Sequence, residues 1–286
     1  MSRKYLLIAI LCGTIWGLSS IYWHMLANMN VIFVLCSRVI FAAIFALIIV
    51  YFQKNFTLLK STFKDWNKIK YLMPAAVMIS FNWGLFLWAM GHGHILDAGL
   101  GFFMAPLMVF VVSIVGFKEK SSGLKLVAIF IALAGVLISF AMYKTVPVVG
   151  LVLALSFTLY GTLKKQVNVD PAVSICIESL ILSPIALGII FFTMKSDVAA
   201  LTPTVFLLLV GAGILTAGPL ILYASAINNL PYIAVGFTQY IAPTITLFVG
   251  LFYGEIFTPE KFVLLGFVLI SIIVYSVAVV DEGRKD

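Results

Sequence analysis

The chain has 286 residues and a net charge of +7, and 63% of its residues are hydrophobic while 10% are charged. A soluble globular domain has about 45–50% apolar and about 25% charged residues, so this composition excludes a soluble protein. A membrane-spanning helix takes about 20 apolar residues, so ten such helices use about 200 residues and leave no room for a separate enzymatic or regulatory domain.

Long apolar stretches bounded by charged or turn residues predict ten membrane-spanning helices. In chain order they cover residues 5–26, 31–52, 71–90, 97–117, 124–142, 147–163, 172–194, 204–226, 232–254 and 262–280. The sixth stretch is short and is closed by Lys164-Lys165, so an arrangement of nine spans stays open. The first stretch follows Arg3-Lys4 and is not followed by a small-residue cleavage site, so we expect it to be retained as a span.

The basic residues fall unevenly on the two sides of this arrangement. With the N-terminus inside, fourteen of the 18 Lys and Arg residues lie on the inner side, and only Lys144, Lys195 and Lys261 lie outside. Short cytoplasmic loops carry an excess of Lys and Arg, so we predict a multi-pass protein of the inner (plasma) membrane with both termini cytoplasmic. This distribution explains the positive net charge without a nucleic-acid partner, so none is expected. The lysine-rich loop 53–70 fits either an amphipathic segment on the inner leaflet or an ordinary inner loop.

The two halves of the chain, 1–143 and 144–286, share a spacing of residues. In each half a glycine is followed after five residues by an Ala-Pro pair and later by a glutamate and a lysine: Gly99, Ala105-Pro106, Glu119 and Lys125; Gly236, Ala242-Pro243, Glu255 and Lys261. Five helices per half is an odd number, so the second half enters the membrane inverted, as in many secondary transporters. Proline kinks a spanning helix, so Gly99, Pro106, Gly236 and Pro243 are predicted hinge or close-packing positions.

Seven segments spread over nearly the whole chain carry a family resemblance: Trp16-Gly17 with Tyr22-Trp23, Arg38, Asn82-Trp83 to Leu107, Leu153 to Gly161, Glu178, Thr216 to Pro231, and Gln239 to Thr244. At these residues the sequence resembles the drug/metabolite transporter (DMT) superfamily, in its EamA-type branch, and within it the RarD-like proteins. The resemblance implies an all-α integral membrane fold of ten helices in two inverted five-helix repeats, and export of small molecules. The chain has His24 where RarD-like proteins tend to have lysine, and Ser37 where they tend to have histidine, so the resemblance carries over no substrate.

Two ionisable residues, Arg38 and Glu178, lie well inside predicted spans, where a charge costs at least about 2.5–3.5 kcal/mol. The planar fork of donors on Arg38 suits a carboxylate or other anionic group of a substrate, and Glu178 is a candidate for loading and releasing a proton during transport. Alternatively, each residue only fixes helix packing through backbone carbonyls or polar neighbours. Their predicted depths fall on opposite sides of the midplane, so we expect no direct salt bridge between them.

Further pathway candidates are polar amides and aromatic residues inside the spans. Asn82 and Gln239 need hydrogen-bond partners, which are substrate groups and waters in one interpretation and another helix in the other. Trp16, Trp83 and Tyr240 suit stacking against an aromatic or amphipathic substrate, although anchoring at the membrane interface also explains such residues.

The sequence lacks the constellations of an enzyme or an ATP-driven pump. His92 and His94, with Asp97 nearby, do not complete a coordination sphere, so we predict no metal, no cofactor and no catalytic residue. A glycine loop for ATP is not present. We therefore predict a secondary active transporter that exports small organic metabolites or drugs by alternating access, with protons as a candidate coupling ion. The alternative is a passive facilitator, or uniporter, for small solutes such as amino acids, and a homodimer is left open.

Overall fold

A computed structural model of the protein describes residues 2–92, 95–143, 147–253 and 258–285. This part of the chain folds into α-helices and one π-helical turn. The α-helices are α1 (Arg3–Met25), α2 (Val31–Phe52), α3 (Phe56–Lys64), α4 (Trp66–Gly91), α5 (Ile95–Val111), α6 (Gly123–Tyr143), α7 (Val148–Gln166), α8 (Pro171–Thr193), α9 (Lys195–Ala199), α10 (Pro203–Asn229), α11 (Tyr232–Thr238), α12 (Ile241–Phe252) and α13 (Pro259–Lys285), and the π-helical turn is Val112–Gly116.

Nine segments of the described residues are long and apolar enough to cross a membrane. They match nine of the ten predicted spans, and one of them joins α11 and α12. The remaining predicted span, 71–90, lies in α4, whose 26 residues extend over about 39 Å. The all-α membrane fold is therefore confirmed, while the number of ten spans stays a prediction.

The outer surface of the bundle is apolar. Phe252 is 91% exposed, and Phe52 and Phe192 are 77% and 76% exposed. Helices that are hydrophobic on their outward as well as their inward faces are typical of membrane spans, because lipid, unlike water, solvates such side chains at no cost. The protein is thus a multi-pass membrane protein.

Helices of one half of the chain pack against helices of the other half. The second span of the first half, α2, packs on the second span of the other half, α8, and α6 packs on α13. The first span, α1, lies against α10 and the α11–α12 segment. In the other half, α7 lies against α4 and α5. The first long helix of residues 1–143 therefore contacts α10, α11 and α12, and the first long helix of residues 144–286 contacts α4 and α5.

The predicted ninth span is interrupted. α11 ends at Thr238 and α12 begins at Ile241, which leaves Gln239 and Tyr240 as a turn between them. Pro243 has no N–H, so the carbonyl of Gln239 lacks the helical hydrogen bond that it would otherwise accept. Pro106, by contrast, lies within the continuous helix α5, and the fourth span departs from α-helical geometry only at the π-helical turn.

The predicted hinge glycines differ in their surroundings. A Cβ atom built on Gly236 would lie 2.8 Å from Cγ1 of Val109 on α5, whereas one built on Gly99 would meet nothing within 4 Å. Close packing therefore describes Gly236, and Gly99 has free space around it. A hinge role for Gly99, Pro106, Gly236 and Pro243 stays a prediction.

The basic loop 53–70 contains α3 and the start of α4. Leu59 and Thr62 are buried against the bundle, while Phe63 and Trp66 are exposed. Lysines flank these exposed aromatic residues in the sequence. This arrangement favours the amphipathic segment over an ordinary loop.

Candidate solute-binding site

The side chain of Arg38, on α2, lies between two tryptophans. Its guanidinium carbon is 4.6 Å from the ring centre of Trp23 on α1 and 4.2 Å from that of Trp83 on α4. Nε donates a hydrogen bond to Oγ1 of Thr216 on α10 at 2.9 Å. Guanidinium groups stack on aromatic faces and keep their positive charge. The terminal amino groups of Arg38 have no hydrogen-bond or carboxylate partner among the described residues.

Trp83 and Thr216 also line a narrow crevice between α2, α4, α8 and α10, which we call the Trp83 crevice. Glu178 faces it from α8, and Val39 and Leu220 contribute apolar walls. The crevice has room for about one water molecule. An organic molecule is therefore too large for the crevice in this arrangement of the helices.

Glu178 belongs to a buried polar network at one edge of this crevice. Its Oε1 atom lies 2.5 Å from Nζ of Lys164 and accepts a hydrogen bond from Ser174 at 3.0 Å. Its Oε2 atom accepts one from the hydroxyl of Tyr160 at 3.2 Å. Lys164 also donates to Ser174. The negative charge of Glu178 is therefore balanced within the protein, whereas the charge of Arg38 is not balanced by any described residue.

Lys164 was expected only as part of the positive charge of the inner side, and the structure adds a buried partner for it. Lys164 is only 2% exposed, and its ion pair joins α7 to α8. A Lys-Lys pair at the end of an apolar helix resembles an ordinary topology signal, and only the packing of α8 against α7 reveals its partner. The spacing of Ser174 and Glu178, four residues apart on one helix face, was the one local sign of a polar network. As predicted, Arg38 and Glu178 do not form an ion pair.

Gln239, at the interruption between α11 and α12, lines a second crevice together with Cys12, Trp16 and Tyr223, which we call the Gln239 crevice. Its Nε2 atom donates to the hydroxyl of Tyr223 at 3.1 Å. Its Oε1 atom is buried and has no hydrogen-bond partner in the described part of the chain. The ring centre of Trp16 lies 5.5 Å from that of Tyr223. This crevice therefore combines aromatic walls with one unused acceptor.

The sequence and fold are similar to those of known proteins. A model of the EamA-like transporter family matches residues 3–141. The uncharacterized transporter YojE of Bacillus subtilis is 38% identical over 266 residues, which cover 91% of this chain and 89% of that protein. The chain belongs to the EamA-like transporter family. The protein RarD of Escherichia coli is 29% identical over 288 residues, with 99% and 97% of the two chains covered.

One crystal structure shares the fold of this EamA-like chain at only 13% sequence identity. It superposes with a TM-score of 0.74 and covers 97% of this chain and 99% of its own. This likeness confirms the fold, while the family match and the named relatives confirm the prediction of a RarD-like membrane transporter rather than an enzyme. Small-molecule substrates within a lipid bilayer follow from that class.

Asn82 and Tyr240 lie apart from the two crevices of this transporter. Nδ2 of Asn82, on α4, donates to the carbonyl of Leu153 at 2.8 Å and to Oγ of Ser156 at 2.9 Å, both on α7. These bonds favour the packing interpretation of Asn82. The ring centre of Tyr240 is 6.5 Å from that of Phe103 on α5. Trp83 and Glu178 thus line one crevice, with Arg38 stacked on Trp83, and Trp16 and Gln239 line the other.

The first of the two repeated glutamates connects the halves of the transporter. The carboxylate of Glu119 accepts hydrogen bonds from the backbone N–H groups of Tyr232 at 2.6 Å and Ile233 at 3.0 Å. These N–H groups have no acceptor within α11 because they lie at its start. Glu119 therefore caps a helix of the opposite half. Its predicted counterpart Glu255 lies outside the described residues, as does His94, while His92 stacks on Trp88 with ring centres 4.7 Å apart.

Proposed function

We propose that this EamA-like transporter moves a small organic solute with an anionic group by alternating access, and that Arg38 binds the anionic group. The observation that carries the proposal is the position of Arg38. Its guanidinium is stacked between Trp23 and Trp83 and fixed at Nε by Thr216, with the terminal donors unused. A stacked, anchored guanidinium presents a preorganised fork that pairs with two oxygens of a carboxylate or phosphate.

The energetic argument concerns the charge itself. A cation inside a membrane protein costs several kcal/mol unless a partner compensates it. Glu178 is already paired with Lys164, and no other described carboxylate reaches Arg38. An anionic group on the solute would supply the missing partner while it is bound.

Alternating access is supported by the relation between the halves. The contacts of the first span of each half with the third and fourth spans of the other fit the inverted repeat, with halves 1–143 and 144–286. The family model covers residues 3–141, close to the first of these halves. The water-sized crevice means that a solute needs rearranged helices to pass, which a rocking of one repeat against the other would provide.

Arg38→Gln tests the proposal in cells that overproduce the transporter. We expect the unmodified protein to change the distribution of at least one anionic metabolite between cells and medium, relative to cells that lack it. Arg38→Gln should abolish this change because it removes both the charge and the fork, and Arg38→Lys should weaken it at least about tenfold because a point charge lacks the bidentate geometry. Untargeted mass spectrometry of both compartments measures the result.

Lys195→Gln is the matched control, since it removes a positive charge at the start of α9 without touching the crevice. If the transported solutes are neutral or cationic and Arg38→Gln moves them normally, the role of Arg38 is wrong. Proteoliposomes with the solute so identified then test proton coupling. Uphill movement driven by a pH gradient and lost in Glu178→Gln supports coupling through Glu178, whereas downhill flux that ignores the gradient identifies a facilitator.

A further inference from the structure

Gln239 carries an unused hydrogen-bond acceptor deep in the bundle. The residue is 9% exposed, and Oε1 has no partner in the described part of the chain. A buried polar atom without a partner costs about 1–3 kcal/mol, so its persistence calls for a physical reason. A ligand that donates a hydrogen bond to Oε1 would provide one.

A chain of hydroxyl groups fixes which amide atom of Gln239 is hydrogen-bonded to Tyr223. The hydroxyl of Tyr232 donates to the carbonyl of Thr158 at 3.0 Å, which leaves its oxygen free to accept. The hydroxyls of Tyr223 and Tyr232 meet over Gly161, where a Cβ atom would overlap both. Tyr223 can therefore donate to Tyr232 and accept from Nε2 of Gln239. This order leaves the acceptor Oε1, rather than the donor Nε2, unused.

One face of α10 connects this acceptor to Arg38. Thr216, the partner of Arg38, and Tyr223, the partner of Gln239, are seven residues apart, which is two turns of the same face and about 10 Å along the helix. Leu220 lies between them and lines the Trp83 crevice. Since Thr216 and Tyr223 belong to a single helix, α10 sets the distance between these two anchoring groups, and it carries over to Arg38 and Gln239 as long as each keeps its hydrogen bond to α10.

We propose that the solute is an elongated organic anion that carries a hydrogen-bond donor, such as an ammonium group, about 10 Å from its anionic group, with an apolar body between. Arg38 binds the anionic end, as the proposed function requires, and Oε1 of Gln239 binds the donor. α-Amino acids do not fit both positions, because their ammonium and carboxylate groups are attached to the same carbon.

Straight-chain carboxylates with and without a terminal amino group test this inference on the full-length protein in lipid nanodiscs. The ends of extended ω-aminooctanoate are about 10 Å apart, and those of ω-aminobutyrate about 5 Å. Quenching of tryptophan fluorescence reports binding, because Trp23 and Trp83 flank Arg38 and Trp16 lines the Gln239 crevice. We expect ω-aminooctanoate to bind about tenfold tighter than octanoate, and ω-aminobutyrate to bind more weakly than both.

Variants separate the inference from the function on which it rests. Gln239→Met should bind octanoate normally but lose the preference for ω-aminooctanoate, while Gln239→Glu, which keeps an acceptor oxygen, should retain it. Normal octanoate binding also shows that each variant is folded. If octanoate binds through Arg38, as judged by its loss in Arg38→Gln, but the amino group adds no affinity, the two-point inference is overturned and the anion site stands. If octanoate binds equally to Arg38→Gln, the anion site itself fails, and the two-point inference fails with it.

Discussion

Lys164 and Glu178 place opposite charges where little solvent reaches, with side chains 3% and 4% exposed. Burial of each ion alone costs several kcal/mol, and the pair is tolerated because its short contact and the hydrogen bonds from Ser174 and Tyr160 compensate that cost. The two charges depend on each other far more than surface charges do. Removing one partner therefore leaves the other uncompensated.

Lys164→Met should lower the free energy of unfolding by about 3–5 kcal/mol, because it leaves the carboxylate of Glu178 buried without a counter-charge. The double variant Lys164→Met/Glu178→Gln should recover most of this loss. Denaturant unfolding in detergent, followed by tryptophan fluorescence, measures both. Lys165→Met is the matched control, since the adjacent Lys165 hydrogen-bonds the carbonyls of Ile227 and Leu230, and Glu119, with which it interacts electrostatically, keeps its hydrogen bonds from Tyr232 and Ile233. Equal losses in the double variant and in Lys164→Met would contradict a compensating pair.

The helices α5 and α7 approach each other closely where two glycines meet. A Cβ atom on Gly101 would lie 2.6 Å from the backbone oxygen of Gly150 and 2.8 Å from its Cα atom. Small residues let backbones approach in membrane bundles, where packing rather than hydrophobic burial drives association. Gly99, two residues earlier on α5, has no such neighbour.

Gly101→Ala should destabilise the protein by about 1–3 kcal/mol, because the methyl group forces α5 and α7 apart. Gly99→Ala should stabilise the folded state by about 0.5–1 kcal/mol through better helix propensity. Unfolding measurements on both variants compare the same substitution on one helix. If Gly99 is a hinge, Gly99→Ala should also slow transport of the solute at unchanged affinity. A stability loss in Gly99→Ala as large as that in Gly101→Ala would mean that helix propensity and free space do not govern this position.

Apolar runs predicted the spans well, because each helix is encoded by contiguous residues. The interruption of the ninth span could be predicted only in part. Pro243 predicted a bend, but the turn at Gln239 and Tyr240 depends on contacts with other helices. The stacking of Trp23 and Trp83 on Arg38 joins three helices and leaves no periodic signal. The sequence predicted the positions of single charged residues but not their partners, because the partners depend on how distant segments pack together.

At the scale of the whole molecule, related helix crossings recur in the two halves. A Cβ atom on Gly13 of α1 would lie 3.1 Å from the carbonyl oxygen of Thr238 on α11. In the other pair the direction of the contact is reversed, since a Cβ atom on Gly101 of α5 would lie 2.6 Å from the carbonyl oxygen of Gly150 on α7. Gly13 and Gly150 are separated by the same number of residues as Thr238 and Gly101. Equivalent crossings at equivalent positions support the proposed repeat, which requires five spans in each half and therefore requires α4 to cross the membrane.

The position of α4 can be tested by its effect on the sidedness of the loops around it. If α4 crosses, two spans separate Asn55 from Ser122, and both positions face the cytoplasm. If α4 does not cross, α5 alone separates them and they face opposite sides. Alkaline phosphatase, which is active only outside the cytoplasm, should therefore be inactive when fused after either residue, and a fluorescent protein fused to the C-terminus should fluoresce.

This test also requires the side of the membrane on which the N-terminus lies. A cysteine introduced by Ser2→Cys should react with a membrane-impermeant maleimide only after the cells are permeabilised, and the native Cys12, Cys36 and Cys176 are buried and contribute little background. Active phosphatase after Ser122 together with inactive phosphatase after Asn55 would mean that α4 stays on one side. The two halves would then have unequal numbers of spans, and an inverted repeat of five helices could not place Arg38 and Glu178 in equivalent helices.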